Sequence, residues 1–389
     1  MPQDREQRRS LALLSVAAFV SGANLRIADP MIPKLAQDFS ASVGAAASVV
    51  SAFTLAYALF QIVHGPLGDR IGKLRAVTIG MFIAAAASFA CAAAPSLTLL
   101  ALGRFLTGMG AAAVIPLSFA FIGDHVPYER RHLVLGRFIG AALSGQVFGP
   151  LLGGALSEYV SWRVGFVAIG GVFAIVGLRL LPAARAAQPD SGTSRRNPLV
   201  QYIQLARERR VQVVVLTVAV EGFLFYGAFA YLSAYLASTF GIGYLLIGLT
   251  LAGFSIGGVA YSLLVSRLVP WLGERGLVAA GGGLLLACFL GIALAPSWAL
   301  TLPFFVASGF AFYLLHNTLQ TRATEMAPHA RGAGVSFFAF CLFLGQAAGV
   351  AVFGVGIEVF GYAPMFVLAG VGLAMLAAAF RRWLPTPPG

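Results

Sequence analysis

Twelve apolar blocks, each close to 20 residues long, constrain the fold of this chain more than any other feature. A helix that crosses the hydrocarbon core of a bilayer needs about 20 apolar residues. The blocks run 11–33, 43–64, 76–94, 98–121, 133–156, 162–181, 211–238, 244–266, 277–295, 299–321, 333–356 and 363–380. Strands of a membrane barrel would be about half as long and would alternate apolar with polar residues, so the blocks predict helices. Charged residues make up 10% of the 389 positions and hydrophobic residues 59%, whereas a soluble domain carries roughly a quarter charged. The expected fold is an all-α membrane protein of 12 transmembrane helices.

The formal charge of +12 does not mark a nucleic-acid partner, because the basic residues lie between the apolar blocks and form no single patch. Arg26, Lys34, Arg104 and Arg163 fall within spans or on the outer side, and Arg137 at the inner end of the fifth span. The other 21 of the 26 Lys and Arg fall in the termini and the even-to-odd loops. The positive-inside rule then places both termini in the cytoplasm of a multi-pass plasma-membrane protein, a bacterial inner membrane being the expected location. The opening MPQDREQRRS runs into an apolar segment without a small-residue cleavage site, so no cleaved signal peptide is expected. Cys91, Cys288 and Cys341 lie in apolar runs and read as small hydrophobes, not as a disulfide framework.

The longest connection divides the chain into a six-helix bundle over 1–181, a cytoplasmic linker over 182–210 and a second six-helix bundle over 211–389. In the linker, Asn197 as cap and Pro198 at the first helical position predict a short amphipathic helix on the inner membrane surface. The halves repeat. Ala94-Pro95-Ser96 recurs as Ala295-Pro296-Ser297, and Pro127 with Arg130 as Pro328 with Arg331, both at an offset of 201. Gly145-Gln146-x-x-Gly149 recurs as Gly345-Gln346-x-x-Gly349 at an offset of 200. A duplicated six-span unit with parallel repeats predicts a transporter whose small-molecule substrate binds near the midplane between the halves.

Gly136 to Gly154 is apolar but rich in glycine, each costing about 1 kcal/mol against alanine in a soluble helix. Gly145, Gly149 and Gly153 make a bare stripe on which another helix backbone can pack, and Pro150 is expected to bend the helix. Because the second half has Gly349-Val350 in place of Gly149-Pro150, the stripe is expected to meet span 8 or 11 of the other half; static helix packing is the alternative.

Ionisable residues inside spans are costly and mark function. Arg26 and Asp29 share a face of span 1 in its outer half, where Pro30 and Pro33 interrupt the helix, and Arg104 lies at similar depth in span 4. An Asp29–Arg104 pair facing a cavity is expected, with a static salt bridge as the alternative. Glu221 is the lone acid deep in span 7, among Phe223, Phe225, Tyr226, Phe229 and Tyr231. It can carry a proton or meet a cationic substrate against aromatic faces, or it can simply bond a backbone group. His316, Asn317 and Gln320 in span 10 read first as interhelical hydrogen-bonding groups and second as substrate contacts. The expected cavity set is Arg26, Asp29, Glu221, Phe225, Tyr226, Phe229, His316 and Asn317. In the loop Gly65-Pro66-Leu67-Gly68-Asp69-Arg70-Ile71-Gly72-Lys73-Leu74-Arg75, the glycines Gly65, Gly68 and Gly72 allow a tight turn at the surface, and Arg70 and Arg75 can pair with Asp124.

That loop resembles the signature between spans 2 and 3 of the major facilitator superfamily, with Leu74 where a second basic residue is common. Gly136, Gly145, Gly149-Pro150 and Gly153-Gly154 resemble its antiporter motif, associated with drug/proton antiporters of twelve helices. Arg104 with Gly108 and Gly110 resembles the fourth-helix motif, and Ser161-Trp162-Arg163 with Phe166 the entry to the sixth helix. The resemblance implies that the loop cluster with Asp124 locks the outward-facing state, and that Asp29 and Arg104 take part in proton coupling, to which the reading of Glu221 adds a second acid. In the second half the loop is eroded to SRLVPWLGERG, with Glu274-Arg275 read in the place of Asp69-Arg70.

No metal-ligand spacing, phosphate-binding loop or nucleophile elbow is present, so the chain is not expected to be an enzyme or to hold a cofactor or metal. The expected function is export of a small amphipathic compound by alternating access, driven by the proton gradient, with the protein acting as a monomer in the lipid bilayer. Uptake of an organic anion on Arg26 and Arg104 is the rival within transport; a lipid scramblase or membrane sensor is the rival outside it.

Overall fold

The computed structural model describes residues 2–186, 198–327 and 331–384. Eleven helices among the described residues are long and apolar enough to cross a membrane, one fewer than the apolar blocks. Tyr244–Leu294 accounts for the difference. At 51 residues it would run about 76 Å if straight, but it breaks at Gly273, whose φ of 60° only glycine adopts readily. It therefore supplies spans 8 and 9. Span 1 is Arg8–Asp38, span 2 Val43–Ile71, span 3 Lys73–Ala93, span 4 Leu97–His125, span 5 Leu133–Tyr159 and span 6 Trp162–Ala186. Span 7 is Arg209–Phe240, span 10 Trp298–Glu325, span 11 Ala333–Phe360 and span 12 Tyr362–Trp383. Twelve crossings place both chain ends on one face, called here the terminal face; the opposite face is the far face.

Local chemistry sets the ends of these helices. Ser42 and Ser96 cap spans 2 and 4 by accepting from the N–H of Ala45 at 3.1 Å and of Leu99 at 3.4 Å. Gly72 (φ 93°) ends span 2, and Arg163 donates to the carbonyls of Ala92 and Ala94, both at 2.8 Å, at the end of span 3. Gly65 and Gly68 lie inside the helix, so of the loop glycines only Gly72 turns the chain. Span 6 continues to Ala186, past the expected limit at 181, and Asn197 lies outside the described residues. The linker helix is Pro198–Arg207; it buries Leu205 and exposes Val200 and Ile203, as an interfacial helix would.

Helix contacts reproduce the repeat. A Cβ on Gly145 would strike the Phe19 carbonyl oxygen and one on Gly345 that of Ala219, an offset of 200 on both partners. Gly108 against Phe53 recurs as Gly309 against Phe254, and Gly80 against Gly110 as Gly281 against Ala311, at 201. These close approaches correct the expected seat of the glycine stripe. Gly145, Gly149 and Gly153 face the carbonyls of Phe19, Ala23 and Ile27, so the stripe packs on span 1 of its own half. Span 5 does meet span 8 across the halves, but through its neighbouring face: Gly154 lies against Tyr244, and Gly248 against the Pro150 carbonyl. The helix Tyr128–Tyr159 continues through Pro150.

Contacts between the halves concentrate toward the far face. Gly44 lies on Gly354, Tyr244 donates to Gln37 at 3.3 Å, and the Leu245 N–H donates to Glu158 at 3.2 Å. They continue to mid-membrane, where the rings of Tyr57 and Phe343 lie 4.8 Å apart and Ser255 donates to the Gln146 carbonyl at 3.4 Å. Nearer the terminal face Gly65, Gly136 and Gly140 border open space. The halves are thus held together on the far side.

Candidate functional site

Four spans break or bear ionisable groups near the centre. Span 1 gives up α-helix after Arg26, passes through the 3-10 turn Asp29–Met31 and resumes at Ile32. Prolines at 30 and 33 cannot donate to the preceding turn, which explains the interruption there. Span 7 breaks at Ala230–Tyr231 and span 4 at Ala112–Ala113, neither with a proline at the break.

Asp29 and Arg26 form an ion pair at 3.5 Å with side chains 2% and 5% exposed. The Arg26 guanidinium crosses to the other half and lies 4.5 Å from the Tyr226 ring centre, 5.3 Å from Phe229 and 5.9 Å from Phe254. Cation–π contacts of this kind strengthen when desolvated, reaching about 2 kcal/mol. Arg26 and Tyr226 are themselves 200 positions apart, so equivalent sites of the two repeats meet between the halves. Arg26 Nε and Asp29 Oδ2 have no hydrogen-bond partner.

Arg104 does not pair with Asp29 as expected. Its guanidinium donates to the Asn24 side-chain oxygen at 2.7 Å and to the Asn24 carbonyl at 3.1 Å, and its Nε to the Val49 carbonyl at 3.4 Å. The carbon of the guanidinium sits 4.2 Å from the Phe53 ring centre. A rigid planar fork is satisfied by the two oxygens of one residue, and Asn24 lies before the break that turns Asp29 toward Arg26. Arg104 still acts on Asp29 electrostatically. Fully buried, it ties span 4 to spans 1 and 2.

In the second half, Glu221 is fully buried and its Oε2 lies 2.7 Å from His316 Nδ1; its Oε1 has no partner. The His316 ring stacks on Phe312 at 4.9 Å. Asn317 donates to the Tyr261 hydroxyl at 2.9 Å, an interhelical bond from span 10 to span 8, while Gln320 is exposed. Phe225 is 0% exposed and packs among Phe254, Phe289 and Phe312, within its own half. Glu358 is exposed near the far end of span 11.

At the terminal face Asp69 and Arg70 are exposed. Asp124 pairs with Lys73, not with Arg70 or Arg75; Arg75 donates to the Ala184 carbonyl of span 6 at 3.3 Å. The Gly72 turn sets Lys73 at the start of span 3, beside the end of span 4. In the second half Gly273 matches Gly72 by conformation and by the offset of 201. Glu274 therefore stands in the place of Lys73, not of Asp69. It pairs with Arg322 near the end of span 10, and Arg322 also pairs at 3.2 Å with Glu325, the position equivalent to Asp124, so in the second half one arginine bridges the two equivalent sites.

The sequence matches the model of the Major Facilitator Superfamily over residues 14–350, from span 1 into span 11. The chain belongs to the Major Facilitator Superfamily. It is 26% identical over 384 residues to the MFS-type transporter YwfA of Bacillus subtilis (strain 168), covering 95% of this chain and 92% of the relative. Over 149 residues it is 32% identical to the multidrug export protein EmrB of Haemophilus influenzae, covering 38% of this chain and 29% of that one. Its fold matches the crystal structure of a bacterial homologue of the human lysosomal transporter Spinster, inward-facing and unoccupied, with a TM-score of 0.76 at 18% identity, over 98% and 99% of the two chains. As a member of the superfamily the chain is a multi-pass membrane transporter.

Two participants escaped sequence reasoning. Asn24, an amide deep in an apolar span two residues before Arg26, carried the same cost signal as a charge. The Glu221–His316 contact had no such signal, because 95 positions separate the two residues and only the packing of span 7 on span 10 joins them.

Proposed function

We propose that this superfamily member exports small, amphipathic, hydrophobic or cationic compounds in exchange for protons, with the terminal face cytoplasmic. One observation carries the reading: each half holds a fully buried acid, at different depths. Asp29 lies on the closed far side. Glu221 lies twelve residues into span 7, about 18 Å along its axis from the terminal end. Buried acids with few partners are expensive inside a membrane and suit a group that alternates between carrying and releasing a proton. The aromatic faces around Arg26 and Glu221 suit a hydrophobic or cationic compound, and the multidrug exporter EmrB is a partial relative.

Asp69, Arg70 and the two terminal-face ion pairs form the gate in this scheme. They close the terminal side when the halves rock to face outward. The rival reading, uptake of an organic anion on Arg26 and Arg104, is weakened because Arg104 is engaged by Asn24 and Val49. Everted membrane vesicles carrying the protein test the proposal. They should accumulate ethidium when energised, and nigericin, which collapses the pH gradient, should abolish this; accumulation indifferent to nigericin would refute proton exchange.

A further inference from the structure

Glu221 has no surface of its own through which to gain or lose a proton. Its side chain is 0% exposed, Oε1 is unpartnered, and its one hydrogen-bond partner is His316 Nδ1 at 2.7 Å. The His316 side chain retains 9% exposure. It lies nine residues from the end of span 10, about 14 Å along the axis from the terminal face. Asp29, by contrast, sits behind the far-side contacts between the halves.

We propose that His316 is the port through which Glu221 exchanges its proton with the terminal-side compartment, the two side chains forming one proton-binding site. The proposal rests on the proton-exchange reading above and adds the route. A proton arriving at Nε2 makes the ring an imidazolium. The Nδ1–H proton then passes to Oε2, leaving a neutral carboxylic acid and a neutral imidazole that carries its proton on Nε2. Only N–H and O–H bonds are made or broken, and unloading is the reverse. The ring is held by stacking on Phe312 and by Phe338 of span 11 at 5.5 Å, so Nδ1 stays aimed at the carboxylate.

The groups facing the pair define what else can influence it. Span 7 contributes Tyr226 and span 10 contributes Tyr313, whose ring centre is 6.4 Å from that of His316. From span 1 comes Arg26, lying over the Tyr226 ring. Asp29 thus joins Tyr226 through Arg26, and Glu221 joins His316.

The test uses the purified full-length protein. The infrared difference between wild type and Glu221→Gln isolates the Glu221 carboxyl band, whose pH midpoint and rate of deuterium exchange can then be followed. His316→Gln keeps a hydrogen-bonding side chain but cannot ionise. It is expected to move the midpoint by one pH unit or more and to slow exchange at least tenfold. In proteoliposomes it should cut pH-gradient-driven ethidium accumulation at least tenfold. Unchanged midpoint and exchange in His316→Gln would overturn the port. If that variant does not fold, carbethoxylation of wild type, mapped to His316 by mass spectrometry, must slow the same exchange, and exchange unaffected by it overturns the port equally. A wild type with no gradient-driven accumulation but with the expected infrared behaviour would refute proton-coupled transport and leave the port standing.

Discussion

Two glycines of span 5, five positions apart, separate packing within a half from packing between halves. Gly149 faces the Ala23 carbonyl of span 1, with Ala23 C and Cα each 3.1 Å from where a Cβ would sit. Gly154 faces the Tyr244 carbonyl of span 8, with Tyr244 C at 3.1 Å and Gly248 Cα at 3.3 Å. In each case the obstacle is helix backbone, which cannot swing aside as a side chain can. Inserting a methyl group into such a contact costs about 1–3 kcal/mol. For Gly149→Ala the cost falls on the folded bundle in every conformation, because spans 1 and 5 move together. Thermal stability should drop by a few degrees with the balance of conformations unchanged. For Gly154→Ala the contact exists only while the far side is closed. The same energy then disfavours that state by about 5- to 150-fold and leaves stability nearly intact. Spin labels at Ser40→Cys and Thr239→Cys, exposed positions toward the far face in opposite halves, report the difference by electron–electron double resonance. Gly154→Ala should shift the distance distribution toward longer separations and Gly149→Ala should not. If Gly149→Ala opened the far side at unchanged melting temperature, or Gly154→Ala left the distances alone, the assignment of the two faces would be wrong.

Further outcomes follow from the polar contacts. Arg104→Lys retains the charge but loses the fork that holds both Asn24 oxygens, and should cost about 2–3 kcal/mol, read as a lower melting temperature; a stability equal to wild type would contradict the clamp. Lys73→Asp sets like charges together at Asp124 and should impair transport, while Lys73→Asp with Asp124→Lys restores opposite charges across the same gap and should restore activity substantially. Failure of that exchange to rescue transport in well-folded protein would show that the pair does more than hold span 3 to span 4.

The fold was legible because its determinants are coarse. Apolar block length and the offset of 200 to 201 both survive without knowledge of side-chain contacts. The blocks 244–266 and 277–295 already separated spans 8 and 9, between which the chain turns back at Gly273. The site was legible residue by residue but not pair by pair. Arg26, Asp29, Arg104, Glu221 and His316 announced themselves as costly polar groups in apolar spans, yet which met which depended on helix rotation and on the break after Arg26. A shift of a few residues in depth turned Arg104 from Asp29 to Asn24. The glycine stripe showed a close approach without naming its partner, since spacing fixes a face and not a neighbour. Aligning the second loop by its acidic residue also misled; Gly72 and Gly273, through their shared left-handed backbone, set the register that puts Glu274 opposite Lys73.

The central claim, that movement of substrate is tied to protons through Asp29 and Glu221, is tested most directly by the pH inside proteoliposomes loaded with pyranine. Adding tetraphenylphosphonium to wild type should evoke a pH change that tracks its movement across the membrane, and Asp29→Asn and Glu221→Gln should each abolish it. Cation movement with no pH change in wild type, or the same pH change in both variants, would contradict the account.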